Sequence, residues 1–256
     1  MDAADGTSPE PAASLASSSR TAPAPPPPLP DDVKPGVPVV LHVPGDAALR
    51  VIQGEASSRE AIVYLPGLCG DITAVDSWAH AASRHGTLVA VNGDLRCRGG
   101  RRYRWSTNLA AIQRRIDRAL EVVRASRGGQ LRTRQLTLIG YSQGATRAQA
   151  LAARYPERYP RVLLGSPPVR PSEQKLSGVQ AVAVVGGQLE HKAKMREGVA
   201  ELRDAGEPVR FLVLPDAGHG HYGPEADRVM GQALEFLFQS APPDVREPVS
   251  ARPPQP

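Results

Sequence analysis

A run of strand-forming residues, Leu136-Thr-Leu-Ile139, leads directly into Gly140-Tyr141-Ser142-Gln143-Gly144, and Ala145 to Arg154 then reads as a helix. No other stretch restricts the fold so tightly. A strand can pass into a helix through so short a bend only if the two elements approach closely, and Gly140 and Gly144 lack the Cβ atoms that would keep them apart. Ser142, at the apex, is forced into a strained backbone conformation and projects outward. The N–H of Gln143 opens the helix, where the dipole favours a negative charge.

The rest of the chain alternates in the same way. Val37–Val43 and Leu49–Gln53 read as a short strand pair, with Pro38 confining the first to an edge. Ala61–Leu65, Thr87–Val91, Val162–Leu164, Ala181–Val185 and Phe211–Leu214 are apolar runs of strand length. Helices are expected over Trp78–Arg84, Lys192–Ala205 and Asp227–Phe238. The best helix has Leu109, Ile112, Ile116, Leu120 and Val123 on one face. Thr107 or Asn108 can cap it, and Gly128-Gly129 ends it. Wholly apolar strands separated by helices predict an α/β fold with a mostly parallel central sheet flanked by helices. Sites in such sheets lie beyond the carboxyl ends of the strands.

The ends are different material. Residues 1–35, rich in Pro, Ala and Ser with Pro25-Pro-Pro-Pro28, read as a disordered linker. Residues 241–256 read as a disordered Pro-rich tail. One domain is expected over residues 36–240. The net charge of +5 in 256 residues is too modest for a nucleic-acid binder. No apolar run of about eighteen residues predicts a membrane span. The turn Pro66-Gly67-Leu68-Cys69-Gly70 carries no Gly-x-Gly-x-x-Gly and no Lys-Ser/Thr, which excludes a phosphate loop there.

A serine hydroxyl needs a base to take its proton, and the base needs an acid to orient it. His219, in Gly218-His219-Gly220 after the last strand, is the candidate base, with His221 as its rival. Glu190 follows the strand Ala181–Val185 and is the candidate acid. Asp216 is the alternative, and a helix-dipole role for Glu190 stays open. The N–H groups of Gln143 and Leu68 are candidates for an oxyanion hole.

Taken together, the Gly140–Gly144 elbow, the Pro66-Gly67-Leu68 turn, Gly187-x-x-Glu190 and Gly218-His219 resemble the α/β-hydrolase superfamily over residues 36–240. That resemblance implies the α/β-hydrolase fold with no sizeable cap domain, since few residues separate Leu164 from Ala181. It implies a serine hydrolase, esterase-like, using Ser142, His219 and Glu190 on a small ester or a polymer-borne acyl group. A peptidase or thioesterase would use the same residues. A non-catalytic binding protein of this fold, tethered by its linker, is the competing class. No cofactor and no metal site are expected.

Two further features bear on substrate and compartment. Residues 96–104 hold five arginines, and Arg101, Arg104 and Trp105 are candidate contacts for an anionic substrate; stacking of these arginines on Tyr103 or Trp105 is the alternative. Cys69 and Cys97 follow strands that are sheet neighbours in the superfamily, which implies a disulfide beside the site; two unrelated thiols remain open. The chain is expected to be cytoplasmic if it starts as given. It would be exported or surface-tethered if a signal peptide precedes it and the cysteines are oxidised.

Overall fold

Apolar runs in this chain become strands because every residue of them can be covered. In the computed structural model, which describes residues 34–100 and 102–240, ten strands and six helices follow one another. The strands are β1 (Pro38–Leu41), β2 (Leu49–Ile52), β3 (Ala61–Leu65), β4 (Thr87–Ala90), β5 (Leu95–Arg96), β6 (Tyr103–Arg104), β7 (Thr137–Tyr141), β8 (Arg161–Gly165), β9 (Ala181–Gly187) and β10 (Val209–Leu214). The helices are α1 (Ala79–His85), α2 (Leu109–Ser126), α3 (Gln143–Arg154), α4 (Glu173–Leu176), α5 (Ala193–Asp204) and α6 (Ala226–Ser240). All but Lys34 and Pro35 of the expected linker, the whole expected tail and Arg101 lie outside the described residues.

Eight strands form one sheet in the order β1-β2-β4-β3-β7-β8-β9-β10. β1 pairs with β2, and β2 with β4, antiparallel; every other neighbouring pair is parallel. Each residue of β3, β4, β7, β8 and β9 is buried. Side chains alternate between faces along each strand. Val63, Leu65, Leu138, Val162 and Leu164 join Ile112, Ile116 and Leu120 of α2, Leu151 of α3 and Val199 of α5 in one core layer. Ile62, Tyr64, Ile139, Leu163 and Val185 join Trp78 and Val229, Leu234 and Leu237 of α6 in the other. Asn108 caps α2 by accepting from the Ala111 N–H at 3.0 Å, and the chain leaves it through Gly128 and Gly129, both at positive φ.

Between β8 and β9 the only regular element is α4, a single turn whose Leu176 is buried. No cap domain is inserted there, so the strand ends stay open. Two elements depart from the expected outline. A 3₁₀ turn over Ile72–Trp78 precedes α1, capped by Asp71 accepting from the Thr73 N–H at 2.9 Å. The arginine-rich loop also contains a hairpin, β5 with β6. Two-residue strands leave no periodicity to read; tertiary attachments, described below, order them.

Candidate active site

The bend at the end of β7 places Ser142. Its backbone has φ 51° and ψ −115°, a conformation costing a non-glycine residue about 1–3 kcal/mol. The packing leaves no alternative. A Cβ on Gly140 would lie 2.3 Å from the Gly144 carbonyl oxygen, and one on Gly144 would lie 2.0 Å from that of Leu65. The first turn of α3 therefore rests on the ends of β7 and β3. The Ser142 N–H is tied to the Gly165 carbonyl at 2.8 Å. Gln143 is the first residue of α3, so its N–H is among the first-turn donors that find no acceptor within the helix.

Two loops from more distant strands converge on this serine. The segment after β10 carries His219, whose Nε2 lies 2.9 Å from Ser142 Oγ. The segment after β9 carries Glu190, whose Oε1 lies 2.7 Å from His219 Nδ1. With Glu190 ionised, Nδ1 carries the proton and Nε2 is left to accept from the serine. His221 and Asp216, the alternatives, form no side-chain hydrogen bond or ion pair with this trio; Asp216 is exposed and Gln188 Oε1 accepts from its N–H at 3.0 Å. The imidazole of His219 is 55% exposed while the carboxyl of Glu190 is only 8% exposed, so the site opens outward over a buried acid.

Burial alone would raise the Glu190 pKa. Hydrogen bonds outweigh it: Oε2 accepts from Ser166 Oγ at 2.6 Å and from the Gly187 N–H at 2.5 Å, and His219 adds a third partner. Their sum holds the carboxyl below its ordinary value. Lys192 fixes the loop itself, its Nζ donating to the carbonyls of Gly187, Gln188 and Glu190 at 3.1, 2.6 and 2.6 Å.

Comparison with known proteins bears on the fold. Residues 103–223, which contain Ser142, Glu190 and His219, match the family described as "Putative esterase". No curated protein shows significant sequence similarity to the chain. Among solved structures, the esterase LipW from Mycobacterium marinum superposes with a TM-score of 0.52 at 18% identity, over 75% of this chain and 77% of that one. A protein from Thermoplasma acidophilum described as a "predicted CIB-like hydrolase" gives 0.53 at 17% identity, over 79% and 98%. The thioesterase domain from the curacin biosynthetic pathway gives 0.52 at 14%, over 78% and 98%. The chain has the α/β-hydrolase fold. Likenesses this distant establish the fold, which is shared by proteins of several activities and does not choose among them.

In this fold the loop after β3 lies against the serine: a Cβ on Gly67 would come within 3.2 Å of Ser142 Cβ. Leu68, the candidate second oxyanion donor, follows directly. Its side chain is 60% exposed, and the turn is closed by the Gly70 N–H donating to the Gly67 carbonyl at 3.0 Å. Cys69 and Cys97 form a disulfide, joining this loop to the β5–β6 hairpin.

Trp105 departs from expectation. It is not a substrate contact: its side chain is 1% exposed and sits in the core. Its indole N–H donates to the Pro66 carbonyl at 2.8 Å, and its backbone N–H donates to Gln143 Oε1 at 2.9 Å. A buried indole needs a partner for its N–H, and here that partner lies two residues before Leu68. Arg104 is exposed, and Arg101 lies outside the described residues. Arg96 stacks on Tyr103, 5.2 Å from the ring centroid, as the alternative reading of the loop held for that arginine.

Sequence reasoning missed Ser166 and Tyr141. Ser166 is a buried polar residue immediately after β8, at a strand end facing the site, and that position was the available signal. Tyr141 precedes the serine; its hydroxyl accepts from the Gly220 N–H at 2.6 Å, and its ring lies 5.5 Å from the His219 ring. Burial pushes its phenol up, so it stays neutral and braces the histidine loop.

Proposed function

We propose that this hydrolase cleaves carboxylic esters through an acyl-enzyme on Ser142. The observation that carries the reading is His219 hydrogen-bonded at once to Ser142 and Glu190. Ser142 Oγ attacks the ester carbonyl carbon as His219 Nε2 takes its proton. The Glu190 carboxylate, held by Ser166 and Gly187, keeps Nδ1 protonated and balances the imidazolium. The N–H groups of Gln143 and Leu68 receive the oxyanion. Collapse breaks the bond to the leaving alcohol, which takes the proton from Nε2. Water then attacks the acyl-enzyme, giving its proton to Nε2, and the acid leaves as Ser142 recovers its own.

An open site without a cap suits small esters, or acyl groups presented on a polymer. The disulfide supports placing the protein in an oxidising compartment, and so supports export. The test is hydrolysis of p-nitrophenyl acetate and butyrate, with fluorophosphonate labelling, on the parent protein and Ser142→Ala. The parent should turn over and label, and the variant should lose turnover by about 10⁴-fold or more. A folded parent that neither labels nor turns over would overturn the reading in favour of a binding protein. Matched thioester and amide substrates rank the ester against the other two acyl-transfer activities.

A further inference from the structure

The β5–β6 hairpin is fastened to the residues around Ser142 from several directions. Cys97 is bonded to Cys69, and Arg102 Nη1 lies 3.5 Å from the Cys69 carbonyl oxygen. Trp105 ties the hairpin's end to Pro66 and Gln143, and Arg147 Nε donates to the Ser106 carbonyl at 2.6 Å. The hairpin therefore forms one wall of the site.

Its register decides which side chains share a face. Leu95 pairs with Arg104 and Arg96 with Tyr103, and the Cys97 N–H bonded to the Arg102 carbonyl extends the ladder to Cys97 and Arg102. Paired residues share a face, and faces alternate along each strand. Arg96 and Tyr103 thus stack together on one side. Cys97, Arg102, Arg104 and Leu95 share the other, which is the side that Cys97 and Arg102 turn toward the loop carrying Leu68. Arg102 and Arg104 are exposed, and neither forms an ion pair with a described residue. The acids nearby are otherwise engaged: Asp71 accepts from the Thr73 N–H and lies within the field of both Arg102 and Arg50, and Asp94 accepts from the Ser106 N–H at 2.7 Å.

We propose that Arg102 and Arg104 form a cationic rim that selects esters whose acyl chain ends in a carboxylate. The inference rests on the ester-hydrolase reading above and assigns its substrate class. The rim flanks the loop that would hold the carbonyl oxygen, so it faces the part of the substrate that stays on the enzyme through both half-reactions. Guanidinium forks suit a carboxylate, and exposed pairs give a selectivity that salt screens.

The experiment compares kcat/KM for p-nitrophenyl hydrogen adipate with that for p-nitrophenyl hexanoate, alongside calorimetric binding of adipate itself. At low salt the parent should prefer the adipate ester by about tenfold, mainly in KM, as two exposed charge contacts allow. The preference should fall within about twofold in R102Q/R104Q and in about 0.5 M salt, and R102K/R104K should retain part of it. Adipate binding should be lost in R102Q/R104Q. Equal rates for the two esters in the parent, with no adipate binding, would sink the rim and leave the hydrolase reading standing. Adipate binding through the two arginines without turnover of either ester would keep the rim and sink the hydrolase reading.

Discussion

The indole of Trp105 and the carbonyl of Pro66 are joined by a 2.8 Å hydrogen bond in the interior, between the two segments that flank Ser142. The same residue's backbone N–H holds Gln143 Oε1. One buried residue thus bonds to both segments that carry the candidate oxyanion donors. Trp105→Phe keeps most of the packing and strands the Pro66 carbonyl without its donor. It should cost about 1–3 kcal/mol of stability. It should also lower kcat on p-nitrophenyl butyrate by about tenfold with KM little changed, because the oxyanion donors act in the transition state. A variant destabilised to that extent with unaltered kcat would show the brace to be purely structural.

Ser166 acts on the serine at one remove, through Glu190. Ser166→Ala removes one of three partners of the carboxylate and leaves the His219 contact in place. A drop in kcat of about three- to tenfold is expected, with Ser166→Thr recovering part of it. Steady-state kinetics on both variants, with fluorophosphonate labelling rates, checks this.

Glu190 also makes stability depend on pH. Its folded-state pKa lies below the ordinary 4.5, so its stabilising contribution is fully present above that value and is lost as pH falls through the lower folded value. Glu190→Gln lacks this titration. The stability difference between parent and variant should be constant near neutrality and shrink on acidification below about pH 4.5. Urea unfolding from pH 7 to pH 3 measures it, and a difference that widens in acid would contradict the assignment.

The disulfide closes a loop of sequence separation 28. Cys69→Ser with Cys97→Ser should lower stability by about 3 kcal/mol on the loop-entropy account. The loop bearing Leu68 would also lose its tether to the hairpin. Thermal unfolding with and without reductant, and kcat on a neutral ester, should fall together.

At the opposite ends of the strands, Arg161 is buried at the start of β8. Its Nε donates to Thr137 Oγ1 at 2.9 Å, and its Nη2 donates to Glu60 Oε2 and the Gln135 carbonyl, each at 2.8 Å. Arg161→Met should cost about 2–3 kcal/mol, less than a wholly buried pair because the Glu60 side chain is 24% exposed and keeps Arg132. Ester turnover at permissive temperature should not change, since this cluster lies at the far ends of the strands.

The sequence by itself determined the sheet and the serine. Fully apolar strands of four to seven residues, helices with one apolar face, and two glycines around Ser142 each declare themselves over a few consecutive positions. Local pattern suffices there because the constraint is local: a period, a cap, a missing Cβ. Tertiary structure decided everything that depends on residues far apart meeting. Only the converging strand ends bring His219 rather than His221 to Ser142, and Glu190 rather than Asp216 to His219, across separations of 77 and 29 residues. Trp105 is legible in the sequence only as an aromatic in a basic loop and a candidate substrate contact, whereas the structure buries it. Its burial comes from the β5–β6 hairpin and the partners Pro66 and Gln143, and a burial created by long-range packing leaves no periodicity in the chain.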